Sequence, residues 1–202
     1  KSETPKNNTP TEETRPQGIP EKAPSPQPQK APRIEKPKPK KKRQRKRPGR
    51  TVVVEANERP NILEHWASPN YEARNGQIES IILHTTEGTG QSAINTFTNE
   101  KSEVSAHYLV MENGTIQNFV DDSNAAWHCR GHNNRSIGIE FAGKYNQPLD
   151  EKQIKSGQAL IRYLCGQYGL SKEDLYPHSE LDPGRRTDPG EANLSAILSG
   201  IN

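Results

Sequence analysis

The stretch IESIILHTT, Ile78 to Thr86, is a short β-branched apolar run that ends on a histidine, His84, and is followed by the turn residues EGTG. A run this short, closed by turn residues, suits a strand buried on both faces better than a helix, which needs ten or more residues to show its period. His84 would then stand at the rim of a central strand, where the sheet holds its side chain rigidly.

Outward from this strand the patterns alternate. GQSAINTFTNE, from Gly90, has the length and spacing of a short amphipathic helix. VSAHYLVMENGTIQNFV, Val104 to Val120, reads as a β-hairpin, with Asn113-Gly114 as a type I′ turn signal between two alternating runs. SIGIEFAG, Ser136 to Gly143, is a further strand. DEKQIKSGQALIRYLCGQYG, Asp150 to Gly169, places Ile154, Leu160, Ile161 and Leu164 on one helical stripe and closes on a glycine. Strands and helices that interleave around a hairpin predict an α/β fold with a mixed central sheet flanked by helices.

Charge divides the chain of 202 residues in two. Residues 1–60 hold 12 of the 17 prolines and 17 Lys+Arg against 7 Asp+Glu, whereas residues 61–202 hold 11 against 18. The net charge of +3 therefore describes neither part. Apart from Ile19, Ile34 and the TVVV run at Thr51 to Val54, the first part has almost no large apolar residues to offset the entropy of ordering it. Residues 1–55 are thus expected to be a disordered tail, proline-rich and extended, and residues 56–202 a single domain.

The eleven Lys+Arg within residues 31–50 suit an anionic wall polymer, a membrane surface or a nucleic-acid backbone, with a merely solvated linker as the plainer reading. That segment has no aromatic residue for base stacking, which argues against sequence-specific nucleic-acid recognition. No run of about 18 apolar residues is present, so neither a membrane span nor a secretory signal is expected in the sequence as it stands. The sole methionine is Met111. That fits an exported, extracytoplasmic protein whose signal or anchor has been removed, or a fragment. Two cysteines, Cys129 and Cys165, are too few for a disulfide framework or a cysteine-rich zinc site, although one bridge would be possible in an oxidising compartment.

Six histidines remain: His65, His84, His107, His128, His132 and His178. A lone histidine is more often structural than a ligand, so position has to decide. His178 opens HSELDPGRRTDP, His178 to Pro189, whose two Asp-Pro pairs can turn the chain back on itself and bring Asp188 toward His178. Two histidines and an aspartate with no thiolate match an open, hydrolytic zinc site, which needs three protein ligands and a free position. The H-E-x-x-H pattern of other zinc hydrolases is absent. Taken singly, each residue has a plainer reading: Asp188 as turn chemistry, Glu140 as a solvated strand residue, Arg185 and Arg186 as solvated loop charges.

Four blocks change that balance. IILHTTEG, VSAHYLVMENGTI, AAWHCRGHNNRSIGIEFAG and HSELDPGRRTDPG, in this order and at these intervals, resemble the zinc-dependent N-acetylmuramoyl-L-alanine amidases of the type 2 amidase and peptidoglycan-recognition-protein superfamily. The resemblance covers about residues 60–198. It implies the type 2 amidase fold, hydrolysis of the bond between N-acetylmuramic acid and L-alanine in peptidoglycan or a muropeptide, and a Zn2+ cofactor held by His84, His178 and Asp188. It also implies that Glu140 is the catalytic carboxylate, since the position where some relatives use a tyrosine is Ala106 here. The family's lysine two residues before the last metal ligand is replaced by Arg186, which is then expected to stabilise the oxyanion. His128 or His132 is expected to contact the sugar or the peptide. The protein is expected to be a monomer. Two further readings stay open: a non-catalytic peptidoglycan-binding domain, and an anionic-polymer binder in which the basic tail is primary.

Overall fold

A computed structural model describes residues 58–64 and 66–201. The expectations for the tail at 1–55, including the TVVV run, and for His65 lie outside the described residues.

Among the described residues there are eight strands and four α-helices: β1 (Ile62–Leu63), β2 (Tyr71–Ala73), β3 (Ser80–Thr85), α1 (Gly90–Phe97), β4 (Tyr108–Val110), β5 (Ile116–Asn118), β6 (Asn124–Ala126), β7 (Ser136–Phe141), α2 (Glu151–Tyr168), β8 (Leu175–Pro177), α3 (His178–Leu181) and α4 (Glu191–Leu198). Six strands make one mixed sheet in the order β1-β5-β4-β7-β3-β8, and β2 pairs with β6 in a separate ribbon. The expected α/β architecture is therefore present. β3 lies between β7 and the edge strand β8, parallel to both, so it is an interior strand, as its two-sided apolar run requires.

The faces of the sheet divide the work. Ile81, Leu83, Ile137, Ile139, Phe141 and Val110 point into the main core, which Leu160, Ile161 and Leu164 of α2 and Ile197 of α4 close. On the other face, α1 packs Ala93, Ile94 and Phe97 against Leu109, Phe119 and Val120. The remaining positions of that second face belong to Ile82, His84, Gly138 and Glu140.

Two details differ from the sequence expectations. The hairpin between β4 and β5 does not turn through a type I′ pair, because Gly114 alone has a positive φ, of 86°, and Asn113 does not. Met111 N–H donates to Thr115 O (2.8 Å) and Gly114 N–H to Met111 O (2.8 Å), so three residues make the turn and the glycine supplies its left-handed step. In α2, Ile154 is only half-buried; Gln153 and Gly157 take the inward positions. Gln153 Nε2 donates to Val110 O (2.9 Å) and Ala142 O (2.8 Å), satisfying two carbonyls at the ends of β4 and β7. Gly157 lets α2 approach the ring of Phe141 so closely that a Cβ there would meet its Cε1 at 2.3 Å.

Gly157→Ala should therefore destabilise the domain, because Phe141 is wholly buried and its ring has nowhere to move. Overpacking of this kind costs about 1–3 kcal/mol, against a helix-propensity gain of at most about 1 kcal/mol. Urea denaturation of the two proteins measures the difference; an alanine variant as stable as the parent would show that the core yields.

Candidate active site and metal centre

The register of three parallel strands assembles the site. His84 on β3 is paired with Glu140 on β7, and Leu83 with Pro177 on β8, so His178, one residue further on, falls beside His84. All three residues lie at the carboxyl ends of their strands, where open α/β sheets bind ligands. The loop from Asp182 returns as the sequence suggests, with Arg185 N–H (3.2 Å) and Arg186 N–H (3.1 Å) on Asp182 O, and Gly184 at a φ of 82°. Ser179 N–H then donates to Asp188 O (3.0 Å), which ties the far end of the loop to α3.

These elements bring His84, His178 and Asp188 together, all buried. His84 Nδ1 lies 2.9 Å from His178 Nδ1 and 3.2 Å from Asp188 Oδ2, and His178 Nδ1 lies 3.0 Å from the same oxygen. Each imidazole carries at most one proton on Nδ1, so no more than two hydrogens are available for three close edges. At least one edge therefore has no hydrogen bond along it. Ligands about 2.0 Å from a tetrahedral zinc stand about 3.3 Å from one another, close to the edges seen here. The donor set and its spacing fit the ion.

Burial pushes the His84 pKa down, and the neighbouring His178 adds to this against the pull of Asp188. For Asp188, burial acts to raise the pKa, but the adjacent imidazoles of His178 and His84 outweigh it and hold it below the usual carboxylate range. Glu140 behaves oppositely. Its burial, reinforced by the charge of Asp188 and opposed by that of Arg186, pushes it up to about 8. As a residue Glu140 is half-buried, yet its Oε2 is out of reach of solvent and has no hydrogen-bond partner among the described residues. It is an acceptor held ready beside the histidines, not the solvated strand residue that its alternation alone suggests.

The two loop arginines part company. Arg185 is tied to Asp182 by an ion pair (2.6 Å) on the surface. Arg186 is exposed, and its guanidinium has no partner among the described residues, but its charge reaches His84 and Glu140. Ala106 is buried and contributes no polar group.

His128 is buried, with Nδ1 3.1 Å from His84 Nε2, so it stands against a site residue. His107 is buried next to it, the two rings 5.6 Å apart. Gly138 N–H donates to His107 Nδ1 (3.0 Å), and His107 Nε2 lies 2.9 Å from Arg74 Nη2 and 3.2 Å from Asn124 O. Arg74, from the end of β2, donates to the carbonyls of Asp122 (2.9 Å), Asn133 (3.2 Å), Asn124 (2.7 Å) and Ser136 (3.1 Å), knitting the ribbon and the loop before β7 to the site. Neither His107 nor Arg74 stands out in the sequence. Cys129 and Cys165 are both free thiols.

Comparison with known proteins places this site in a family. The profile of the family described as N-acetylmuramoyl-L-alanine amidase (Amidase_2) matches residues 74–191, more than half of the chain. The chain belongs to this amidase family. N-acetylmuramoyl-L-alanine amidase A of Achromobacter lyticus is 32% identical over 108 residues, which are 52% of this chain and 61% of that protein. The Escherichia coli amidase AmiD, solved in complex with anhydro-N-acetylmuramic acid-L-Ala-D-γ-Glu-L-Lys, superposes with a TM-score of 0.56 at 26% identity, covering 65% of this chain and 61% of that one. The crystal structure of a selenomethionine derivative of AmpD shares the amidase fold at a TM-score of 0.63 and 21% identity, covering 75% of this chain and 100% of that one. The chain spans between about half and three-fifths of the length of the curated amidases it matches first.

The histidine cluster makes stability depend on acid. Burial holds the pKa of His107 down at about 3, against an ordinary value near 6.5. The unfolded chain therefore binds a proton that the folded chain refuses. The stability so gained is fully present above pH ~6.5 and is lost as pH falls toward ~3, at up to about 1.4 kcal/mol per pH unit. His107→Asn keeps an acceptor for Gly138 N–H without titrating, so its urea midpoint should fall less steeply between pH 6 and 4. Parallel slopes for the two proteins would contradict this assignment.

Proposed function

We propose that the chain hydrolyses the amide between N-acetylmuramic acid and L-alanine in peptidoglycan or muropeptides, with zinc held by His84 Nδ1, His178 Nδ1 and Asp188 Oδ2. The observation that carries the proposal is the convergence of those three buried donor atoms next to the unpaired carboxylate of Glu140. Family membership and the muropeptide bound to AmiD support the choice of substrate. The complete donor set speaks against a purely binding role.

An amide is a poor electrophile and water a poor nucleophile. Bound zinc supplies Lewis acidity, which polarises a carbonyl and makes water a competent nucleophile near neutral pH. Glu140 takes the proton of the attacking water and passes it to the leaving amine of L-alanine. Its raised pKa suits this double task, because a carboxyl titrating near the working pH both accepts and returns a proton readily. Arg186, with its guanidinium unengaged at the rim, stabilises the negative charge that develops on the carbonyl oxygen, a contribution worth about 2.7–4 kcal/mol per donor. A guanidinium spreads its charge over a planar fork where the family's lysine delivers a point charge. In this reading the basic segment at 31–50 holds the domain near anionic wall or membrane material, outside the cytoplasm.

Metal analysis of the purified protein should find one zinc per chain, removed by chelation together with activity and lost on replacing His84 and His178 by alanine. Glu140→Gln should retain the zinc and the fold while turnover falls about 10²- to 10⁴-fold. Near-normal hydrolysis by that variant, or full zinc retention by the double alanine variant, would sink the proposal.

Arg186→Ala should lower kcat on a defined muropeptide with little change in KM, because the charge it meets exists only in the transition state. Arg186→Lys should recover much of the loss. Arg185→Ala should be nearly silent, since Arg185 is engaged with Asp182. The opposite ranking of the two alanine variants would transfer the role to Arg185.

A further inference from the structure

Behind His84 runs a line of hydrogen bonds that only one arrangement of protons satisfies. It ends at the backbone carbonyl of His132, 2.8 Å from Ser136 Oγ. A carbonyl has no hydrogen to give, so the single hydroxyl proton of Ser136 is spent there. Ser136 Oγ must then accept from His128 Nε2, 3.2 Å away. A neutral imidazole has a single ring proton, and that of His128 is used on Nε2, in a ring buried edge-on against those of His84 and His107. Its Nδ1 is therefore bare and accepts from His84 Nε2, at 3.1 Å. His84, neutral in its turn, is left with no proton on Nδ1.

We infer that His128 is a positioning residue for His84: it takes up the Nε2–H of His84 and so keeps the Nδ1 lone pair of that ring aimed at His178 and Asp188. This rests on the metal reading above, since a bare, correctly aimed Nδ1 is what a cation requires of a histidine ligand. Partners behind metal-bound histidines are usually carboxylates or carbonyls. Here the partner is a neutral imidazole whose own tautomer is set by a serine and a backbone carbonyl. The sequence makes room for it: Gly138, on β7 between Ser136 and Glu140, has no Cβ, and one placed there would lie 2.5–2.8 Å from three atoms of the His128 ring. The backbone N–H of His128 is pinned by Asn133 Oδ1 at 3.2 Å, and the ring of His107 crosses its other side at 75°.

Two near-isosteric variants of the full chain separate the acceptor from the volume. His128→Asn offers an oxygen where Nδ1 stands, and His128→Leu offers a methyl. Nitrogen-15 shifts of the zinc-free protein should show His84 protonated on Nε2 in the parent and in His128→Asn, and a mixture of tautomers in His128→Leu. Zinc affinity, measured by competition with a chelator, should fall about 10- to 100-fold in His128→Leu and stay close to the parent in His128→Asn. Ser136→Ala, a milder change, should shift the His84 tautomer in the same direction. A parent protein with its His84 proton on Nδ1, or equal zinc affinity in the leucine and asparagine variants, would overturn the inference. A parent that binds no zinc would instead overturn the metal reading, and the tautomer, read without metal, would still decide the role of His128.

Discussion

The parallel pairing of β3 with β7 and β8 is the constraint on which the rest depends. A shift of one residue in that register would turn His84 or Glu140 into the core under α2 and bring an isoleucine or phenylalanine to the site face. The register is secured because both faces of these strands are buried, so any slip exposes apolar surface on one side and buries polar groups on the other. Gly138 and Gly157 allow close approach from opposite sides of the sheet, one for the ring of His128 and the other for the backbone of α2 against Phe141.

That packing maintains an electrostatic arrangement the side chains would not adopt alone. Two carboxylates, Asp188 and Glu140, sit near enough for the charge of one to oppose ionisation of the other. Three imidazoles, those of His84, His128 and His107, are kept from protonating by burial. Much of this cost is met during folding by the apolar cores on either side, so the polar groups are already desolvated and oriented when a ligand arrives. Preorganisation of this kind is how a fold lends stability to a reaction.

Much of this was legible in the residues, and the reasons for the exceptions are physical. The apolar run before His84 could only be a buried strand, and the two Asp-Pro pairs could only turn the loop, so His84, His178 and Asp188 were within reach of sequence reasoning. Glu140 was legible only by resemblance, because an alternating strand says which residues share a face and not whether that face meets solvent. The contact of His128 with His84 was not legible for a related reason: it depends on the room that Gly138 leaves on β7, which neither spacing nor pattern reveals. Ile154 yielded its inward position to Gln153, whose Nε2 donates to the carbonyls of Val110 and Ala142, a polar contact that an apolar period does not record. The hairpin turn escaped because Asn-Gly serves both a two-residue and a three-residue loop.

The donor atoms come from positions 94 and 104 residues apart along the chain. Parallel strands cannot be joined by tight turns, so no short fragment contains the site, and its halves meet only when the crossover through α2 has closed and β8 has docked on β3. Contacts of such separation carry a large loop-closure entropy and tend to form late. A cation bound there would act as a clasp on the whole topology, and its arrival would mark the end of assembly: the half-built chain has nothing with which to hold it.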